Sequence, residues 1–469
     1  MLRNHSEFYC FSNTLNLLVL CSLCFLMYWA HNTNVNGFEW VPYIKTCAIS
    51  LLLFQLFIIY IRKIWWFDFI VVFTILNYLF IESYLFIWDT GIKTYKYWLM
   101  NYTSQQWLKG FVYGLCYIHA IFTGYLLSSQ NRVNKRKERR LQQKYSSYTL
   151  YRIGWILFLI SLPFKFYVDI MTYIVNRSGL GYSAVLSNEQ VSGVAFNLSM
   201  LVNVGIIYII CSKYLVKKQA LILFLTYFAY AVGITALVGG RRFTITALLA
   251  TVPCYIFSYG IKIRKKQAIL LGGCGYLGLV FLKTVSATRE SLANSFSDYI
   301  HMASEYLAVS DVFFDFFYEF GNTIFPYIVS LDVFPKYQSF FWGVSLVAVW
   351  ILVIPGAGKI FPQLRHAIST SSYARAHYNY WYGGALGQEL YGNFGYFAIG
   401  GAVIIGRLFN YLLGSLKSVS NISVARYFTL YYALLNFVRA DLNEFVRLIV
   451  WAYVLPILIK IFFFKNAKN

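Results

Sequence analysis

The sequence predicts an all-α, polytopic membrane protein, and three observations carry that prediction. Of 469 residues, 59% are hydrophobic and only 12% are charged, against about 25% charged in soluble domains. Apolar stretches of the ~20 residues needed to span a bilayer recur from end to end. The basic clusters between them fit a single inside–outside alternation.

The first nine spans are read at 14–30, 43–61, 67–88, 108–128, 149–175, 194–212, 220–238, 243–259 and 268–285. The first resembles a signal peptide, but no small-residue cleavage site follows and many spans come after it, so it is read as a retained helix. Orientation is set by the run Arg132 to Arg140, extended by Lys144. A dense cationic run marks the cytoplasmic side. Arg62–Lys63, Lys213/Lys217/Lys218 and Lys262/Arg264/Lys265/Lys266 fall on that side too, which makes the N-terminus cytoplasmic.

From 286 to 385 the chain is expected to form a large external loop with short helices. Eight of the 18 acidic residues lie between Glu290 and Glu389. Segments 312–330 and 340–355 read either as two more spans or as helices lying on the membrane surface. Either choice adds an even number of crossings. Spans at 386–410, 422–438 and 447–464 complete 12 to 14 helices in a single integral membrane domain, 1–469, with the C-terminus inside.

The net charge of +22 would suggest nucleic acid in a soluble chain. Here it is positive-inside charge on short loops, and no nucleic-acid partner is expected. Seven of the eight cysteines lie inside apolar segments, including the CxxC of Cys21 and Cys24, so neither a disulfide framework nor a metal site is expected.

The charges that do not fit positive-inside logic are arginines. Arg177, Arg241, Arg242, Arg289, Arg365, Arg375, Arg439 and Arg447 all map to the outer side. A guanidinium offers a planar fork of donors suited to phosphate or carboxylate oxygens. Arg241 and Arg242 stand next to each other after Gly239–Gly240. Two adjacent cations at a membrane edge are costly unless an anion compensates them. Arg289–Glu290 follows the ninth span as a candidate pair. In 435–447, Arg439, Asn443 and Arg447 recur at i, i+4 and i+8 and would share a helical face, with Asp441 and Glu444 to orient them.

The richest tract runs from Arg375 to Gly395. His377 titrates near neutrality and could accept a proton from a hydroxyl. Glu389 enters an apolar span, where acids are expensive and functional by default. Asn393 lies one turn further along. Trp381 and Tyr391 belong to an aromatic cluster that could stack on sugars or form an interfacial belt.

With these features together, the chain resembles the bacterial O-antigen or oligosaccharide repeat-unit polymerases, the Wzy family. The likeness rests on 10 to 14 helices with a late external loop, on Gly239-Gly240-Arg241-Arg242 at a helix edge, and on the Glu-x-Tyr-x-Asn-Phe-Gly segment Glu389–Gly395. His377-x-Asn379 is also similar to the related O-antigen ligases, although its spacing to Glu389 fits that pattern loosely. The resemblance implies a metal-independent, GT-C-type glycosyltransferase without cofactor, in the bacterial inner membrane. It would act at the periplasmic face on undecaprenyl-diphosphate-linked oligosaccharides. Its catalytic candidates are Arg241, Arg242 and either Glu389 or His377. Arg289, Glu290, Arg365, Arg375, Asn393, Arg439, Asp441, Arg447, Trp381 and Tyr391 would bind substrate, and a chain-length regulator is a possible partner.

A lipid-linked oligosaccharide flippase or transporter and an O-antigen ligase are the competing classes. A flippase should show internal repeats and charges deep in both halves, and no repeat is visible. A membrane acyltransferase would need an acid near an intramembrane histidine. His119 in the fourth span has none in sequence and reads as a packed core residue.

Overall fold

The computed structural model describes residues 2–88, 102–127, 147–175, 193–238, 242–262, 312–354, 357–366, 384–416, 420–440 and 442–463, with isolated positions between 264 and 304. Among them every regular element is helical. Among the described residues eight helices are long and apolar enough to cross a membrane, which makes this an all-α, multi-pass membrane protein. The remaining expected spans are short or interrupted, or fall outside the described residues. The chain divides into two compact units: 1–141 with 317–415 and 435–446, and 142–316 with 416–434 and 447–469.

The first unit is organised around α4 (Ser104–Leu127), with α1 (Leu2–Asn32), α2 (Val41–Ile61) and α3 (Phe69–Ile87). The α4 sequence is apolar all round, which is the pattern of a helix buried on all faces. Trp107, Phe111, Val112, Leu115 and Phe122 are all buried. Just past the end of α2, Arg62 donates to Ser12 Oγ at 2.9 Å, to Asn13 Oδ1 at 2.5 Å and to the Leu126 carbonyl at 3.3 Å. It thereby ties three helices together at one end. Burial pushes its guanidinium pKa down to about 10.

His119 is buried in α4. Its Nε2 lies 3.0 Å from the Asn16 carbonyl and its Nδ1 3.1 Å from Gln55 Nε2. A neutral imidazole with the proton on Nε2 satisfies both contacts. This is the geometry of a packed core histidine.

The two expected helices of the 312–355 region fold as three short ones, α9 (Val312–Gly321), α10 (Ile324–Val333) and α11 (Val344–Leu352), of ten, ten and nine residues. At 1.5 Å per residue none of them reaches across a bilayer. α10 is buried against α4: Tyr327 packs on Tyr113 and Tyr117, and Phe325 on Trp107.

The expected span at 386–410 is one of these eight, Leu386–Gly414, but it is interrupted near its start. α12 (Leu386–Phe394) ends at Gly395, and α13 (Ala398–Leu416) follows a short 3-10 turn. Gly395 sits at φ 57, ψ −137, where side-chain-bearing residues are strongly disfavoured. A Cβ there would also lie 2.8 Å from Phe340 Cζ. The chain folds back sharply at this point, so that Leu390 Cδ2 comes within 3.9 Å of where a Cβ on Gly401 would be.

The second unit contains α5 (Ser147–Val175), α6 (Val194–Ser212), α7 (Lys217–Val238), α8 (Arg242–Ser258) and α14 (Asn421–Leu435). Buried hydroxyls and amides stitch these helices together: Tyr227 donates to Asn203 Oδ1, and Asn203 Nδ2 donates to Tyr432 Oη at 3.0 Å.

Candidate functional site

In the first unit the site is built on α12. Its N-terminus is fixed on two sides. Tyr113 donates to the Gly387 carbonyl at 2.8 Å, and the Ala385 N–H donates to Gln388 Oε1 at 3.3 Å. Glu389 lies in the first turn, where the helix dipole favours a negative charge. Its N–H donates to the Ala385 carbonyl at 3.0 Å. The residue is fully buried, as is the whole stretch Leu386–Asn393.

Asn393 is buried and its amide is engaged by the protein itself. Nδ2 donates to Ser345 Oγ and to the Glu389 carbonyl, both at 2.7 Å, and Oδ1 accepts from the Gly343 N–H at 3.0 Å. Tyr391 is buried too, edge-on to Tyr113, Phe340 and Tyr396. Its ring is therefore part of the packing and does not stand as an exposed stacking surface.

Arg439 lies in the first unit, half-buried, with its guanidinium 5.8 Å from the Phe80 ring centroid. The proposed shared face of Arg439, Asn443 and Arg447 does not form as one helix. The helix preceding Arg439 ends in a 3-10 turn at Asn436–Val438, Arg439 leaves the helical region at φ −143, ψ 31, and a new helix starts at Leu442. Only Asn443 and Arg447 share that helix, and Arg447 belongs to the second unit.

In the second unit Val238 ends α7 and Arg242 opens α8, in keeping with the expected spans at 220–238 and 243–259; Gly239 and Gly240 lie outside the described residues. Thr235 Oγ1 and Thr244 Oγ1 lie 2.7 Å apart and tie the two helix ends together. The side chains of Arg242 and Arg365 lie outside the described residues, as do Arg241, Arg289, Glu290, Arg375, His377, Trp381 and Asp441 altogether.

Two polar groups were missed in the sequence. Glu82 is fully buried in α3, at the end of a π-helical turn (Tyr78–Glu82). Among the described residues neither of its carboxylate oxygens has a hydrogen-bond partner, and it packs against Gly114. A lone acid in the apolar run Phe69–Ile87 is the same signal that singled out Glu389. In the second unit, Lys165 Nζ lies 2.5 Å from Asp169 Oδ1, and Tyr230 donates to Asp169 Oδ2 at 2.5 Å. The i, i+4 spacing of Lys165 and Asp169 in an apolar helix was the available clue.

Among the described residues no cluster of three His, Cys, Asp or Glu side chains could hold a metal ion. The profile of the family O-antigen polysaccharide polymerase Wzy matches residues 14–469, nearly the whole chain. The chain belongs to the O-antigen polysaccharide polymerase family, Wzy. It is accordingly a glycosyltransferase-type membrane polymerase of lipopolysaccharide biosynthesis, acting on lipid-linked oligosaccharide repeat units. No curated protein and no solved structure matches the chain.

Proposed function

We propose that this Wzy protein extends O-antigen at the periplasmic face of the inner membrane, both termini being cytoplasmic. It transfers the growing glycan from undecaprenyl diphosphate to a hydroxyl of the incoming lipid-linked repeat unit. Glu389 accepts the hydroxyl proton, the acceptor oxygen bonds to the anomeric carbon, and the bond from that carbon to the diphosphate oxygen breaks. The observation that carries this reading is the full burial of Glu389 on a short helix anchored by Tyr113 and closed at Gly395. A carboxylate fixed in one place can be held within hydrogen-bond reach of a docked hydroxyl, which is what a general base needs.

The leaving diphosphate needs positive charge but little else from the protein. Arg241 and Arg242, at the opening of α8, are the proposed donors, because guanidinium forks and the backbone N–H groups of a helix start both suit phosphate. Such donors aimed at developing charge supply the stabilisation a metal would otherwise bring, which supports a metal-independent reaction. Arg289, Arg365, Arg375, Arg439 and Arg447 are proposed to hold the lipid-linked substrates, with Glu290 and Asp441 orienting them and Trp381 stacking on sugar. His377 is the alternative base, and a chain-length regulator is a proposed partner. Asn393 and Tyr391, buried on the same short helix, are proposed to support Glu389.

The test is polymerisation by purified protein in lipid nanodiscs, fed with lipid-linked repeat units in excess EDTA. Glu389→Gln should fall by about 10²–10⁴-fold in rate, with protein yield unchanged and wild-type activity surviving the chelator. Full activity of Glu389→Gln would remove it as the base. A strict requirement for added divalent metal would remove the arginine-only account of the leaving group.

A further inference from the structure

The turn that docks onto the end of α12 is strained at a bulky residue. Trp342 has φ 49, a left-handed conformation that a large side chain adopts only when its surroundings enforce it. Here they do. The Phe341 N–H donates to the Gly392 carbonyl at 3.1 Å and the Trp342 N–H to the Asn393 carbonyl at 3.0 Å. The next N–H, of Gly343, donates to Asn393 Oδ1 at 3.0 Å. Gly343 follows at φ 87, and Asn393 Nδ2 holds Ser345. Three successive backbone donors are thus fastened to the last turn of the helix that carries Glu389.

The strained backbone does not serve to bury the indole: Trp342 is 67% exposed, and among the ring contacts it meets Phe340 edge-on at 5.9 Å. Close by in sequence, Tyr337 is also exposed, and Phe397, just past Gly395, is 82% exposed. A tryptophan that merely anchors a protein in the membrane interface needs no special backbone. Holding one in a costly conformation, on hydrogen bonds from a motif asparagine, fits a ring that must be presented at a set place.

We propose that Trp342 is a stacking platform for a sugar ring of the lipid-linked repeat unit, and that Asn393 is the positioning residue that holds it there. The flat apolar face of an aromatic ring suits the C–H face of a pyranose and leaves the sugar hydroxyls free for other donors. The proposal rests on the reading of Glu389's helix as the place where the acceptor hydroxyl is activated.

Two measurements test it on the full-length protein. In nanodiscs labelled with 5-fluorotryptophan, the fluorine resonance missing from Trp342→Phe identifies Trp342. That resonance should shift when oligosaccharide released from the host's own repeat unit is added. In polymerisation assays Trp342→Ala should raise KM for the lipid-linked unit by about tenfold, the effect of one aromatic contact, with kcat little changed, whereas Trp342→Tyr retains most of the affinity. Asn393→Ala should raise KM similarly, and the double variant no further. A resonance insensitive to the glycan but quenched by brominated lipid would make Trp342 a membrane anchor and overturn the proposal, as would an unchanged KM in Trp342→Ala. The glycan-induced shift needs no turnover, so it is read independently of whether Glu389 is the base.

Discussion

Replacing Glu82 by methionine should make the protein more stable. Glu82 is fully buried, and among the described residues both carboxylate oxygens lack a hydrogen-bond partner. Each unsatisfied buried polar group costs about 1–3 kcal/mol. Methionine has similar length and removes both oxygens. Its Sδ and Cε must fit against Gly114, Ile81 and the rest of the α3–α4 interface, and a volume-conserving swap of this kind costs less than about 1.5 kcal/mol. The balance is a gain of about 0.5–6 kcal/mol, or about 0.5–6 °C in Tm for a chain of this size. Intrinsic-fluorescence melting of detergent-solubilised protein reads it directly. Glu82→Gln, which keeps the polar burden, should leave Tm close to wild type. A fall in Tm for Glu82→Met would refute the reasoning and mean that the carboxyl is satisfied, for example by bound water shared with the Tyr78 hydroxyl. If Tm rises while polymerisation falls, Glu82 is retained for activity at the expense of stability, as the π-helical turn that ends on it suggests.

Two further outcomes follow from the packing. A Cβ on Gly124 would overlap the Val403 carbonyl, and one on Gly406 that of Ile121. Gly124→Val should therefore force α4 and α13 apart and destabilise by about 1–3 kcal/mol or more, seen as a lower melting temperature and lower yield. Asp169→Asn leaves Lys165 without its carboxylate in a helix whose pair is largely shielded, at 24% and 8% side-chain exposure. A loss of about 1–3 kcal/mol lies between the values for surface and buried pairs, and the double variant Lys165→Met/Asp169→Leu should recover most of it in a thermal melt.

The fold was legible where hydropathy alone decides. The expected spans at 43–61, 149–175 and 220–238 correspond to helices Val41–Ile61, Ser147–Val175 and Lys217–Val238. What sequence could not give is where a long apolar run stops being one helix. The break falls at Gly395, where Phe340, 55 positions earlier in the chain, leaves no room for a Cβ, and α10 is buried against tyrosines of α4. Both are tertiary effects that leave no mark on local periodicity. The same holds for the site. Glu389 stood out because a carboxylate in apolar surroundings is costly wherever it is placed. The indole of Trp342 gave no signal, since an aromatic in a chain with 20% aromatics is unremarkable until its backbone angle is known.

The segment Glu389–Gly395 shows how one short motif divides its work. Gly395 is fixed by a backbone angle and by the ring above it. Tyr391 is enclosed by three aromatic rings. Asn393 spends its whole amide on Ser345, Gly343 and the Glu389 carbonyl. Each of these residues therefore explains its own identity through the fold, and their substitution would act on activity only by moving something else. Glu389 is the one carboxylate of the motif, placed by the other members in the first turn of a buried helix whose dipole supports its charge. The physical case for proposing Glu389 as the proton acceptor is that its neighbours fix the backbone that carries it, Tyr113 through the Gly387 carbonyl and Asn393 through the Glu389 carbonyl.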